Sequence, residues 1–302
     1  MEAGAKDAMK KEPIRHHYIP RFILRKFCDE NGELSYFDLK TRSVSLKKPE
    51  DVFVTRNLYR DIINHPEDPV KIETDLAKFE NEASRIIEKF FDDEIVLTIE
   101  EDEKLRLFFA IMGFRSERVQ KQFGRNADKE YKDYYGFYQE DGNLTDFWKR
   151  NLGELVNCRS IKEVLKNPKI DEPIKAFMVR DTCGLTGMYF MRIKKRCKED
   201  FVVSDAYPGV MEGLLDNGVG LPLYYLYPIS KQIMILLVAN GAELSRQAIS
   251  GFDKKTFMKP SLSIDGKHIH IKTKRMYEQD VKKLNKILID NATEGVVGYK
   301  NE

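Results

Sequence analysis

A chain of 302 residues that is 42% hydrophobic and 33% charged has the means to bury a core, and its composition is globular and excludes a disordered chain. A formal net charge of +2 argues neither for nor against a nucleic-acid partner, so only local patches bear on that question. The four cysteines, Cys28, Cys158, Cys183 and Cys197, form no CxxC pair, which excludes zinc-ribbon and thioredoxin readings. Their scatter, with no apolar signal segment ahead of them, points to reduced thiols in a cytoplasm. The longest apolar run, "QIMILLVA", falls far short of the roughly 18 residues of a membrane span, so no membrane partner is expected.

Residues 1–13 read as a polar, flexible leader. "YIPRFILRKF" then sets Phe22, Ile23 and Phe27 on one helical face, with Pro20 at the start, where a missing N–H costs nothing. "DENGE" makes a turn. "LSYFDL" and "SVSLKK" alternate on either side of "KTR" and predict a hairpin, and "VFVTRNLYR" is a further extended or edge element. Ile72 to Phe91 carries a 3.6-residue apolar stripe through Leu76, Phe79, Ala83, Ile86, Ile87 and Phe90. A second helix starts near Thr98, with Glu101 completing a capping box. Residues 127–153 are polar and aromatic and read as broken helices with a turn at "EDGNLTDFW". One long helix is expected from Pro173 to Arg196 in spite of two interior glycines.

Beyond that point the pattern changes. "FVVSD" reads as a short buried strand, "LPLYYLYPIS" and "QIMILLVA" as a hairpin about "PISK", "HIHIKT" as another strand, and "MYEQDVKKLNKILIDNATEGV" as an amphipathic helix. No repeat, low-complexity tract or linker interrupts the chain. The expected fold is therefore a single α+β domain over 14–302. Its mixed or antiparallel sheet is built from N- and C-terminal strands, and a helical middle, about 71–196, packs on it.

Chemistry concentrates at a few places. His16 and His17 are adjacent, so their side chains diverge and do not share one metal; one is expected to face a cleft while a backbone carbonyl holds the other. The plainer alternative is a pair of structural polar groups at a chain turn. Glu73 and Glu80 lie two turns apart, beside the buried stripe, where a charge is retained only if it is paired or binds something. Asp75, Lys78 and Glu82 fit the solvated face. Arg115 and Arg118 in "GFRSERVQ" either clamp an anion or neutralise those glutamates. Asp205, at the end of "FVVSD", is either a rigid carboxylate at the lip of a sheet or an Asx turn. His268 and His270 share a strand face, a spacing that suits zinc but more often marks structural or solvent-facing rings. "IKKRCK" and "HIHIKTKR" are basic patches that would suit a phosphate backbone. Phosphate-binding loops, GxGxxG, HExxH and GxSxG are absent.

Taken in order, "HHYIPRFILRKF", "IETDLAKFE", "FRSERV", "FVVSD-YP", the apolar "YPIS" pair and the late "LN-----NA" helix resemble a family of bacterial and phage-related proteins, domain of unknown function 4238. The resemblance runs from about Ile14 to Val297. Typical members read S-D-N-P after the strand. Here the segment is Ser204-Asp205-Ala206-Tyr207-Pro208, one residue longer and without the Asn. The resemblance implies no activity. It does imply that His16, His17, Arg21, Glu73, Glu80, Arg115 and Asp205 belong to one set.

A set of that composition suits a polar cleft. The expected function is a phosphodiester hydrolase, a metal-dependent nuclease of toxin or antiviral type acting on RNA or DNA. Glu73, Glu80 and Asp205 would hold Mg²⁺ or Mn²⁺, a histidine would serve as acid or base, and Arg21 and Arg115 would stabilise the phosphoryl charge. A metal-free variant would cleave RNA with His and Arg alone. Nucleic acid and an activator or inhibitor protein are the corresponding partners. Two alternatives remain: a non-catalytic nucleotide- or partner-binding module, and a buried ion network that only fixes the fold.

Overall fold

The computed structural model describes residues 15–115, 144–183, 188–214, 220–239 and 257–298. Thirteen strands and seven α-helices are described, an α+β arrangement. Strands from the two ends of the chain do share a sheet. β2 (Leu34–Asp38) and β3 (Ser43–Lys47) form the expected hairpin, turning through Arg42 at φ 54°. β13 (Gly295–Val297) then pairs antiparallel with β2 on one side and β7 (Val203–Ser204) on the other, giving the order β3-β2-β13-β7. Gly295 is required there, because a Cβ would run into the Tyr36 ring and hydroxyl.

A second, larger sheet was not expected as a separate unit. Its order is β11-β12-β6-β10-β9-β8, with β5 (Ile95–Thr98) also paired to β12 (His268–Met276). β6 (Met188–Lys195) corrects the reading of one helix from Pro173 to Arg196. That helix (α6, Glu172–Cys183) ends earlier, and 188–195 is a strand antiparallel to β10 (Ile233–Ala239) and parallel to β12. Met188 to Ile193 is buried on both faces, so it shows no alternation, and a continuous apolar run does not distinguish helix from strand. β9 (Gly220–Pro228) and β10 form the expected hairpin, β8 (Gly209–Leu214) extends it, and β11 (Ser261–Leu262) closes the far edge.

The helices supply the rest of the core. α2 (Lys71–Glu88) buries its expected stripe, and Asp75 with it: that carboxylate takes Lys71 at 2.8 Å and Lys78 at 3.1 Å rather than facing solvent alone. α3 (Ile99–Phe114) opens with the expected capping box. Thr98 Oγ1 accepts from the Glu101 N–H at 3.1 Å, and the Glu101 carboxylate accepts from the Thr98 N–H at 2.9 Å. α3 is buried almost all round from Leu107 to Phe114, packed by α2, α4 (Leu144–Leu155), α5 (Ile161–Lys166) and α6. α7 (Glu278–Asp290) lies against β7 and β8. Among the described residues no helix is long and apolar enough to cross a membrane. A short ribbon of β1 (Arg15–His17) and β4 (Val54–Arg56), followed by α1 (Arg21–Leu24), brings the N-terminal motif onto the end of α3.

Candidate functional site

Strand geometry separates the two histidines of β1, as adjacency requires. His16 is fully buried. Its Nδ1 accepts the Tyr59 backbone N–H at 2.8 Å, and its ring stacks on the Tyr59 ring, centroids 5.4 Å apart. An imidazole accepting at Nδ1 carries its proton on Nε2. His17 has the opposite arrangement. Its Nε2 lies 3.0 Å from the Pro49 carbonyl, which only an N–H can satisfy, so Nδ1 is its basic nitrogen. Burial, reinforced by the charges of Arg21 and Arg15, pulls the His17 pKa down to about 4 against the opposing pull of the Pro49 carbonyl.

Arg115 caps the C-terminus of α3 and is 1% exposed. Nε donates to the Tyr18 carbonyl at 3.4 Å, and Nη1 pairs with Glu80 of α2. Nη2 is buried without a hydrogen-bond partner among the described residues. Tyr59 ties the ribbon to this helix end: its hydroxyl lies 3.2 Å from the His17 carbonyl and 3.5 Å from that of Arg115. Its ring stacks on Trp148, whose Nε1 donates to the Phe114 carbonyl at 2.9 Å.

Glu73 lies two turns before Glu80 on α2, half-buried, and no described residue donates a hydrogen bond to it. Burial, with the charge of Glu80 added, lifts its pKa to about 7 in spite of Arg115 and Arg21. Arg21 is exposed at the first position of α1, and its charge acts on both His17 and Glu73. Of the seven predicted residues, Glu73, Glu80 and Arg115 therefore come together, with Arg21 acting on Glu73; His16 is joined to this group through Tyr59, and the His17 ring only through the charge of Arg21.

Asp205 stands apart from them. Its carboxylate accepts from the Thr293 N–H at 3.0 and 3.1 Å, the Thr293 hydroxyl at 2.5 Å and the Gly295 N–H at 3.1 Å. It clips the end of β7 to the start of β13. This is an Asx-like cap made across the sheet rather than within its own turn. What the same segment brings to the cluster is Tyr207. That side chain is buried, its pKa is raised by burial, and Arg115 is the charge that acts on it.

Tyr59 and Tyr207 were not anticipated from sequence. Both sit in polar turn segments, and no local signal marks a tyrosine whose partners are supplied by other elements. Arg118 lies outside the described residues.

These features define a class: an α+β chain in which a histidine ribbon closes over a buried arginine and two helix-borne glutamates. The chain belongs to the family described as protein of unknown function DUF4238, whose model matches residues 15–302. No curated protein and no solved structure matches it.

Proposed function

We propose that the cluster around Arg115 is the catalytic site of a nuclease-type phosphodiester hydrolase. The reading rests on the unfinished hydrogen bonding of a fully buried guanidinium: Arg115 holds Nη2 without a partner among the described residues, beside a carboxyl group, Glu73, that titrates near neutrality. Fixed donors in a dry site are what a developing phosphoryl charge needs. A carboxyl with a pKa near the working pH serves as general acid or base. His17 Nδ1 offers a second proton acceptor, and Arg21 is an exposed cation for the incoming anion.

A divalent ion does not fit the expected carboxylates. Glu80 is engaged by Arg115 and Asp205 by Thr293 and Gly295, which leaves only Glu73 uncommitted. Among the described residues no three His, Cys, Asp or Glu side chains are arranged to hold an ion. The proton transfers are therefore assigned to Glu73 and His17. A specific observation favours the binding-module alternative: Glu80 is ion-paired with Arg115 and so is not a free ligand for a bridged metal pair.

The test is a cleavage assay on tRNA, total RNA, single-stranded DNA and duplex DNA, with Mg²⁺, Mn²⁺ or EDTA. Folded Glu73→Gln and His17→Ala proteins run alongside. Cutting that survives EDTA and is lost in Glu73→Gln supports the proposal. Cutting that requires a metal restores the metal-dependent version. No cutting in any arm moves the assignment to the binding module.

A further inference from the structure

The hairpin of β2 and β3 leaves one side of the smaller sheet open. β3 lies at the end of the order β3-β2-β13-β7, and no described strand pairs with its outer side. Every residue from Ser43 to Leu46 is exposed. The inner ladder fixes where the free backbone groups of β3 point. The Leu39 N–H donates to the Glu294 carbonyl at 3.1 Å, and the Gly298 N–H to the Ser35 carbonyl at 2.8 Å. Odd-numbered residues of β2 thus bond towards β13. Alternation turns Leu34, Tyr36 and Asp38 towards β3, where their partners are Lys47, Ser45 and Ser43. Val44 and Leu46 are left with N–H and C=O groups aimed away from the sheet.

Their side chains carry the inner packing out to the same edge. Val44 stands beside Phe37 and Phe37 beside Val296, so the three share a face, and Leu46 lies on that face two residues beyond Val44. Exposure rises along the row from Val296, fully buried, through Phe37 to Val44 at 37%, and Leu46 is 62% exposed. A further strand laid along β3 would cover both side chains and continue the row.

Cations stand at both ends of the open edge. Lys40 and Arg42 precede β3, Lys47 closes it and Lys48 follows, and no acidic residue occurs from Leu39 to Lys48. Lys40, Arg42 and Lys48 form no ion pair among the described residues, and Lys47 Nζ lies 4.0 Å from the Tyr36 ring centroid. The nearby carboxylates lie inboard of the edge or beyond it. Asp38 accepts the Lys40 and Thr41 N–H groups of the hairpin turn at 2.8 and 3.0 Å, and Glu33 precedes the inner strand. Glu50 and Asp51 follow in the next turn, where Asp51 pairs with Arg15 at 3.0 Å.

These charges also turn one occupant away. A second copy pairing antiparallel about Ser45 would set Arg42 against Lys48 and Ser43 against Lys47, and a parallel copy would set like charge on like. An acidic strand meets neither obstacle. Nucleic acid would use the cations but neither the outward amide groups of Val44 and Leu46 nor their side chains.

We infer that the outer edge of β3 docks an extended segment of a partner protein, one with apolar residues at alternate positions and acidic residues at both ends. Such a segment adds a strand to the sheet. Its main chain supplies the affinity, while Val44, Leu46 and the flanking cations supply the selectivity. The edge is separate from the Arg115 cluster and does not depend on it.

Fluorescence anisotropy on the full chain tests this with a labelled probe peptide, a Val-Thr-Val-Thr-Val core with two acidic residues at each end. Polyglutamate and single-stranded RNA are the competitors. The peptide binds, more weakly as salt rises. The same peptide N-methylated through its core, with charge and side chains unchanged, does not bind. Val44→Pro removes one outward N–H, a change that an edge strand tolerates, and weakens binding by about fivefold or more. Lys40→Glu with Lys48→Glu weakens it by about tenfold or more and removes most of the salt dependence. The methylated probe needs no variant, so the test stands even where a substitution perturbs the fold. No binding of the peptide overturns the inference, as do equal binding of its methylated form and unchanged affinity in both variants. Displacement by polyglutamate or RNA overturns it too, as does a chain that dimerises and loses its dimer in Val44→Pro. Cleavage is not part of the readout, so an inactive Arg115 cluster leaves this result intact.

Discussion

The Arg115 cluster and the Asp205 clip both hold carboxylates at the junctions of distant elements, and they end in opposite states. At Asp205 both carboxylate oxygens are taken by backbone and hydroxyl donors. At Arg115 a buried N–H group has no partner among the described residues, Glu73 receives no hydrogen bond from them, and His17 and Glu73 are shifted in opposite directions. Complete satisfaction is what a structural device needs. Incomplete satisfaction costs stability and calls for another explanation, which the proposed substrate anion would supply.

The largest expected effect is at Arg115. Arg115→Ala removes the partner of Glu80 and leaves a cavity, costing about 3–5 kcal/mol in chemical denaturation. A variant as stable as wild type would contradict the burial described here. Asp205→Ala is next, at about 1.5–3 kcal/mol for the lost charge-assisted hydrogen bonds. Its cleavage rate, measured where the protein stays folded, is expected to match wild type. Loss of activity without loss of stability would place Asp205 back in the site and break the comparison.

Glu73→Gln has the opposite sign. A carboxyl whose folded pKa is raised binds its proton more tightly when folded, so its contribution to stability falls as pH rises from about 4.5 to about 7. The variant should be more stable than wild type above pH 7, by on the order of 1–3 kcal/mol at 1.36 per pKa unit, and nearly unchanged at pH 4.5. His17 runs the other way. Its folded pKa is depressed, so stability is lost as pH falls from 6.5 towards about 4. The two slopes oppose one another across the shared window. Wild type should therefore be flatter than either Glu73→Gln or His17→Ala, which pH-dependent melting will show. The smallest effect is Tyr59→Phe, at about 0.5–1.5 kcal/mol for one hydroxyl.

Much of this architecture was legible. The α2 stripe, the α3 capping box, two hairpins, β12 and α7 follow from periodicity and turn chemistry, which are local. β6 was not legible, because burial on both faces erases alternation. Asp75 was misplaced because its partners Lys71 and Lys78 draw a carboxylate into a partly buried edge. The divergence of His16 and His17 was readable from adjacency alone, and so was the tension between Glu73, Glu80 and an arginine. The role of Asp205 was not, since Thr293 lies 88 residues away. Nor was Tyr59, whose backbone N–H reaches His16 only after the chain turns through Phe53 and Asn57, both at positive φ.

The position of β13 also bears on folding kinetics. Joining Val296 to Phe37 closes almost the whole described chain into one loop. Closure entropy of that kind is met late, after local helices and hairpins have formed. Glu294, just before β13, accepts from the Tyr18 hydroxyl at 3.2 Å, and the Tyr18 carbonyl receives Arg115 Nε. The Arg115 site is thus joined to the last strand to dock. Partly folded chains would hold the helices and the glutamates but not the finished guanidinium site, so the proposed cleavage is expected to return only with the slowest refolding phase.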